Sequence, residues 1–181
     1  DLDNEMTIFL TEWLSNLLDD GLDGIIISDY AKGVCSDFFC SSVIKIAHAY
    51  KIPVLVDPKG CDWHKYAGAD FVTPNLKELC DVVGKLIPNE DNAVVDNAAM
   101  IRNNLKIKNL VVTRSEKGMT LLSDKRNINA PALAKDVFDV SGAGDTVAAV
   151  LLASAAGGLS LESAIELANL AAGIVVSKVG T

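Results

Sequence analysis

The stretch VSGAGDTVAAV, residues 140–150, joins a glycine-containing turn to an apolar run. Gly142 and Gly144 flank Ala143, and Asp145 follows them directly. Glycine allows unusual backbone angles and a close approach by a ligand. The first amides of a following helix have no partner inside that helix, and the helix dipole adds positive potential there. The stretch therefore predicts a strand that turns into a helix, with backbone amides forming an anion hole.

Asp145 distinguishes this loop from the common phosphate-binding loops. A Walker loop ends in Gly-Lys-Ser/Thr, and a dinucleotide fingerprint needs a third glycine where Val147 stands. An acid at a helix N-terminus has a structural interpretation as a cap or a complement to the dipole. Its functional interpretation is a general base, because phosphoryl transfer needs a group that orients the attacking hydroxyl and accepts its proton.

Outward from this loop, predicted strands and helices alternate along the chain. Helical spacing of apolar residues predicts helices at 4–18, 36–50, 74–83, 91–105, 143–156 and 161–177. Short apolar runs predict strands at 24–29, 53–57, 70–73 and 109–113, a hairpin at 118–130, and a segment at 137–140 that leads into the glycine loop. This alternation predicts an α/β fold with a mostly parallel sheet and helices on both faces.

Polar residues follow the predicted strands at the edge where ligands bind in such sheets, the carboxyl ends of the strands. They occupy residues 29–33, 57–60, 73–75, 113–116 and 141–145. The sequence therefore predicts a functional site at that edge.

Composition narrows the class of protein. The 181 residues are half apolar and 22% charged, which predicts one globular domain. A net charge of −8 argues against binding to nucleic acid or to an anionic membrane. The four cysteines form no C-x-x-C pair, and the longest uncharged run, residues 146–161, is shorter than the ~20 residues of a membrane span. We expect reduced thiols in a cytoplasmic protein.

Four motifs, in order along nearly the whole chain, resemble those of one enzyme family. DVSGAGDT (139–146) resembles the signature of the ribokinase-like (PfkB) carbohydrate kinases. TPNLKE (73–78) resembles their P-N-x-x-E element, and VVTRSEKGMTLL (111–122) their T-x-G-x-x-G region, with Ser115 in place of the middle glycine. ANLAAGIVVSKVGT (168–181) resembles the C-terminal helix that closes over adenine.

The resemblance implies a three-layer αβα sandwich, of which residues 1–181 form the C-terminal portion of a single kinase domain, without its N-terminal part and lid. It implies ATP and Mg²⁺ as cofactors, a sugar substrate, and a homodimer formed through the lid. It also implies roles for individual residues: Asp145 as the base, Gly142, Ala143 and Gly144 as the anion hole, Asn75 and Glu78 at the phosphates with Glu78 on magnesium, Thr113, Arg114, Glu116 and Gly118 beside the nucleotide, and Asn169 on adenine.

Three stretches, SDYAKG (28–33), VLVDPKG (54–60) and TRSEKGM (113–119), are most similar to D-glycero-β-D-manno-heptose-7-phosphate kinases of lipopolysaccharide core synthesis. This similarity implies transfer of the ATP γ-phosphate to the anomeric hydroxyl of heptose 7-phosphate. Lys32 and Lys59 are candidates for holding the substrate phosphate.

Alternatives remain open at this point. Asn75 also fits a simple helix cap, and both lysines also fit solvated loop positions. The enzyme also fits a kinase of the same family for ribose, fructose or a nucleoside, or a nucleotide-binding fragment without turnover.

Overall fold

The computed structural model describes residues 4–133 and 138–178. Its helices are α1 (Asn4–Asp19), α2 (Asp37–Ala49), α3 (Leu76–Val83), α4 (Asp91–Asn104), α5 (Ala143–Ala156) and α6 (Leu161–Val176), with single 3-10 turns at His64–Tyr66 and Ser115–Lys117. Its strands are β1 (Ile25–Ser28), β2 (Val54–Asp57), β3 (Phe71–Val72), β4 (Asn109–Thr113), β5 (Met119–Leu122) and β6 (Asn127–Ala130). The predicted segment at 137–140 falls partly outside the described residues.

One sheet contains the six strands in chain order. β1 to β4 are parallel, with Ile27 beside Val56 and Val72 beside Leu110. β5 and β6 extend the sheet as an antiparallel hairpin, with Leu110 opposite Leu122. The predicted α/β fold with a mostly parallel sheet is confirmed.

The central strands are buried on both faces, as their unbroken apolar runs predicted. Successive side chains of a strand point to opposite faces. Val54 and Val56 therefore join a core with α2, α3 and α4, whereas Leu55 joins a second core with α5 and α6. Each fully buried valine or leucine contributes roughly 1.5–3 kcal/mol. The two cores make the three layers of an αβα sandwich.

Short capping motifs set the ends of helices α2 and α3. The Ser36 hydroxyl accepts the Phe39 amide, so the predicted cap of α2 is confirmed. Asn75 and Glu78 form a reciprocal capping box on α3, which ends at the left-handed Gly84. These caps fix where each helix begins relative to the strand before it.

The β1 side of the sheet carries exposed apolar residues. Ile26 on β1 and Phe9 and Trp13 on α1 are all exposed. Within the residues described, β1 pairs only with β2. In those same residues we find no helix with both the length and the hydropathy of a bilayer span.

Candidate functional site

The carboxyl ends of the parallel strands meet at one edge of the sheet. Asp57 ends β2 and Thr113 ends β4. Asn75 forms a parallel bridge with Thr113, whose amide donates to the Pro74 carbonyl over 2.9 Å. The segments that follow β3 and β4 are therefore held side by side.

The glycine loop reaches this edge from the other face of the sheet. Gly142 is the N-cap of α5 and has φ 73°, a left-handed conformation that favours glycine. It has no side chain to cap the helix, and the Ala143 amide donates instead to the Val140 carbonyl over 3.3 Å. A Cβ placed on Gly144 would meet no atom within 4 Å beyond its chain neighbours and the backbone of its own helix, so there is open space beside this glycine. The loop has the form of an anion site at a helix N-terminus.

Asp145 lies in the first turn of α5 and is exposed. The Tyr30 hydroxyl, in the loop after β1, donates to Asp145 Oδ1 over 3.4 Å. The carboxylate is thus placed between the glycine loop and the β1 end of the site. An exposed carboxylate beside an anion hole has the position that a general base requires.

Asp57 is a site residue that sequence reasoning did not assign. Burial, followed by the charges of Glu78 and Asp145, raises its pKa to about 6, against the opposing effect of Lys59. Three carboxylates therefore gather at this edge. The signal in the sequence was its place as the last residue of a buried strand.

Glu78 is nearly buried, and both of its carboxylate oxygens have partners. Oε2 accepts the Asn75 amide over 3.0 Å, and Oε1 accepts Lys59 Nζ over 2.9 Å. The Asn75 side chain in turn accepts the Glu78 amide. Asn75 is therefore a helix cap, as one of its two interpretations predicted. The same capping box holds Glu78 where its other carboxylate oxygen accepts a hydrogen bond from Lys59. The hydrogen bond to Glu78 raises the pKa of Lys59 and keeps that side chain charged.

The oxygen donors of this edge suit a hard cation such as Mg²⁺. Within residues 4–133 and 138–178, no three His, Cys, Asp or Glu side chains are grouped closely enough to hold a metal. Mg²⁺ is usually held by one or two carboxylates together with substrate phosphates and waters. The residues present fit that arrangement, because Asp57 and Glu78 both bring a carboxylate to this edge.

Arg114 directly follows β4 and is 2% exposed. Its guanidinium donates to Asn89, to Asp91 Oδ1 over 2.7 Å and to Thr120 Oγ1 over 2.9 Å. These bonds tie the end of β4 to the start of α4 and to β5. The structure thus directs Arg114 into the protein rather than toward the cleft, and its predicted contact with a nucleotide stays a prediction.

Glu116 and Gly118 lie in the turn between β4 and β5. Glu116 is exposed and accepts Asn89 Nδ2 over 3.3 Å. Gly118 has φ 79°, and a Cβ there would lie 2.1 Å from the Ala130 carbonyl oxygen. Only glycine fits this close approach between the turn and the end of β6.

Asn169 lies on α6 beside a cavity of about 630 Å³ between that helix and β6. Its side-chain amide donates to the Pro131 carbonyl over 2.7 Å, so this buried polar group has a partner. The cavity wall is mostly apolar and includes Ile128, Pro131, Leu133, Leu167 and Leu170. A flat apolar ring with polar edges fits such a wall.

Lys32 is exposed in the loop after β1, two residues beyond Tyr30. Asp29 anchors the start of that loop from a buried position. Burial alone would raise the pKa of Asp29, but hydrogen bonds from Lys65, Tyr66 and the Ala31 amide hold it below its usual range. The structure brings Lys59 to Glu78 and leaves Lys32 at the rim of the site.

Comparison with known proteins identifies the family. Residues 23–181 match the sequence model of the pfkB family of carbohydrate kinases. The chain belongs to the pfkB family of carbohydrate kinases. The glycine loop, the capping box and the β4–β5 turn described above all fall inside the matched range.

The chain is identical to two curated relatives at almost half of the aligned positions. It is 49% identical to the bifunctional protein HldE of Methylobacillus flagellatus over 180 residues, which make up 99% of this chain and 37% of that protein. It is also 49% identical to the bifunctional protein HldE of Alcanivorax borkumensis over 158 residues, 87% of this chain and 32% of that protein. The chain therefore spans about a third of the length of these relatives.

Solved structures share the fold at lower identity. Phosphofructokinase-2 from Escherichia coli, in complex with potassium, superposes with a TM-score of 0.84 at 23% identity, covering 99% of this chain and 58% of that one. Arabidopsis thaliana ribokinase, complexed with ribose and ATP, gives a TM-score of 0.77 at 21% identity, covering 99% and 55%. The predicted ribokinase-like sandwich is confirmed.

Proposed function

We propose that residues 1–181 form the C-terminal portion of a kinase domain that phosphorylates the anomeric hydroxyl of D-glycero-β-D-manno-heptose 7-phosphate. The observation that carries the kinase assignment is the placement of Asp145 beside the open glycine loop, at the edge where four parallel strands end. The sugar assignment is supported by the three stretches that resemble heptose-7-phosphate kinases and by the identity to HldE proteins.

The proposed reaction is an in-line displacement at the γ-phosphorus. The anomeric oxygen forms a bond to phosphorus, the bond from phosphorus to the bridging oxygen breaks, and ADP leaves. Asp145 accepts the hydroxyl proton, a role worth roughly 10²- to 10⁴-fold in rate. The amides of Gly142, Ala143 and Gly144 are proposed to bind the charge on the transferring group, with Ala143 released from the Val140 carbonyl. Mg²⁺, when bound through Glu78 and the phosphates, neutralises charge on the nucleotide.

The nucleotide is proposed to span from the glycine loop to the cavity beside Asn169. The apolar wall of that cavity suits adenine, and Asn169 offers its side-chain oxygen once its nitrogen is bound to Pro131. Thr113, Glu116 and Gly118 lie at the end of β4 and in the turn after it, which would form the adjacent wall. Lys59 and Lys32 are the proposed contacts for the sugar phosphate.

Other features are consistent with this assignment. The exposed apolar residues of β1 and α1 fit a larger domain in which further strands continue the sheet. The homodimer through a lid remains part of the proposal. The four cysteines are free thiols, which suits the reducing cytoplasm that we propose as the location.

The test is a substrate panel assayed with the full reading frame that encodes this chain. Heptose 7-phosphate, ribose, fructose and nucleosides are each incubated with ATP and Mg²⁺, and ³¹P NMR identifies the product. We expect a sugar 1,7-bisphosphate, and loss of turnover with retained ATP binding in Asp145→Asn. Phosphorylation of a nucleoside or a free hexose, but not of heptose 7-phosphate, would overturn the sugar assignment.

A further inference from the structure

We infer that Tyr30 is a positioning residue for Asp145, and that a buried brace under the loop after β1 exists to hold it there. This inference rests on the proposed role of Asp145 as the base. The starting observation is the Tyr30 hydroxyl, 3.4 Å from Asp145 Oδ1 and 115 residues away in sequence. The distance is longer than the usual 2.7–2.8 Å of such bonds, but catalytic hydrogen bonds often tighten when substrates bind.

The brace is formed by three donors that converge on the buried carboxylate of Asp29. Lys65 Nζ donates to Asp29 Oδ2 over 2.6 Å, and the Tyr66 hydroxyl donates to the same oxygen over 2.5 Å. The Ala31 amide donates to Asp29 Oδ1 over 2.7 Å. A buried carboxylate is stable only when it is paired and hydrogen-bonded. These bonds fix the residues on both sides of Tyr30.

The backbone beside Tyr30 is also held in an uncommon conformation. Ala31 has φ 54°, in the left-handed region that a residue with a Cβ seldom adopts. Such a conformation persists when the surrounding contacts over-determine it, and the Asp29 bond to the Ala31 amide supplies that constraint. The direction of the chain at Tyr30 is therefore imposed from both sides.

The tyrosine itself is not used for packing. Tyr30 is 62% exposed, whereas Tyr66, which belongs to the brace, is fully buried. A rigid support that ends in an exposed phenol is what a positioning group requires. The carboxylate of Asp145 has two oxygens, and only one can take the proton of the incoming hydroxyl. A donor on Oδ1 leaves Oδ2 for that proton and removes the rotational freedom of the base.

Two tyrosines of this chain make a matched pair for testing the inference. Tyr50 is 43% exposed and also donates to a carboxylate, Asp19 Oδ1, over 2.9 Å. It follows the far end of α2, about 20 Å along that helix from the loop of Tyr30. Tyr50→Phe therefore removes a similar bond away from the site.

The kinetic test uses the full reading frame with the acceptor that the panel identifies. Tyr30→Phe should lower kcat about 3- to 10-fold, the range of one positioning hydrogen bond, with the KM for ATP within about twofold of wild type. Tyr50→Phe should leave both within about twofold. In an Asp145→Asn background, Tyr30→Phe should have no further effect on residual rate, because the tyrosine acts through that carboxylate. A kcat for Tyr30→Phe equal to that of Tyr50→Phe would overturn the inference.

A second measurement does not depend on turnover. In protein labelled with ¹³C-tyrosine, Asp145→Asn should shift the ring resonances of Tyr30, assigned from Tyr30→Phe, and leave those of Tyr50 unchanged. If no acceptor is phosphorylated but the Tyr30 ring responds, the proposed function fails and the contact stands. If an acceptor is phosphorylated and the Tyr30 ring does not respond, the inference fails and the function stands.

Discussion

Asp57 and Glu78 bring two carboxylates together at the ends of neighbouring elements, and their repulsion, added to burial, raises the pKa of Asp57 to about 6. Asp57 ends β2, and Glu78 is fixed in the first turn of α3 by its capping box. Lys59 offsets only part of this repulsion, and perturbed carboxylates of this kind are common at active sites.

The pH dependence of stability follows from the direction of that shift. Asp57 binds its proton more tightly in the folded state than in the unfolded state, so its favourable contribution is present below about pH 4 and is lost as the pH rises through 6. Asp57→Asn should therefore raise the free energy of unfolding at pH 7.5 by about 1–2 kcal/mol, a figure reduced for the screening of these charges by water. The same variant should change the free energy of unfolding little at pH 4. Urea unfolding at both pH values measures this. An equal gain from Asp96→Asn, at an exposed site on α4, would contradict it.

Gly118 provides a test of the close approach between the β4–β5 turn and β6. Gly118→Ala should lower the free energy of unfolding by about 2–4 kcal/mol, because its Cβ meets the Ala130 carbonyl and its φ is positive. Gly84→Ala is the matched control, since Gly84 has φ 75° but open space around it. That variant should lose only about 1 kcal/mol. Equal losses in the two variants, measured by urea unfolding, would mean that the contact with Ala130 adds nothing.

The burial of Arg114 leads to a prediction that separates its two interpretations. Arg114→Lys keeps the charge but cannot reproduce the bonds to Asn89, Asp91 and Thr120. We expect a loss of about 2–4 kcal/mol in the free energy of unfolding, with ATP affinity little changed at temperatures where the variant is folded. Thermal unfolding and calorimetric titration with ATP measure the two quantities. Weaker ATP binding at unchanged stability would favour the nucleotide contact instead.

The sequence predicted the elements well because their signals are local. The strand predicted at 53–57 matches β2 to within one residue, and the predicted cap at Ser36 matches the start of α2. The strand predicted at 70–73 is shorter, at Phe71–Val72, although Asp70 and Thr73 still donate to β2 carbonyls. Apolar periodicity and capping chemistry act over a few residues, so one chain suffices to read them.

The site was predicted only where its residues are neighbours in sequence. The glycine loop with Asp145 and the pair of Asn75 and Glu78 belong to short motifs, and the structure brings both to one edge of the sheet. The contact from Tyr30 to Asp145 and the bond from Tyr66 to Asp29 join residues 115 and 37 positions apart. No periodicity reports such pairs. The burial of Arg114 could not be predicted either, because a charged side chain is usually exposed and its partners lie in the loop before α4, on α4 and on β5.

A substitution at Gly144 can separate an effect on the proposed site from an effect on stability. A Cβ at this position meets no protein atom and the residue lies in a helix, so Gly144→Ala should leave the free energy of unfolding unchanged or raise it by up to about 1 kcal/mol. The same methyl group would occupy the open space beside Gly144, through which the transferring phosphoryl group is proposed to approach the loop. Turnover should therefore fall by about 10²- to 10³-fold, the range seen when one donor to a transition-state charge is lost. Ala149→Gly on the exposed face of α5 is the control, and should reduce stability by up to about 1 kcal/mol without reducing kcat. Full turnover in Gly144→Ala would show that the phosphoryl group does not approach this loop.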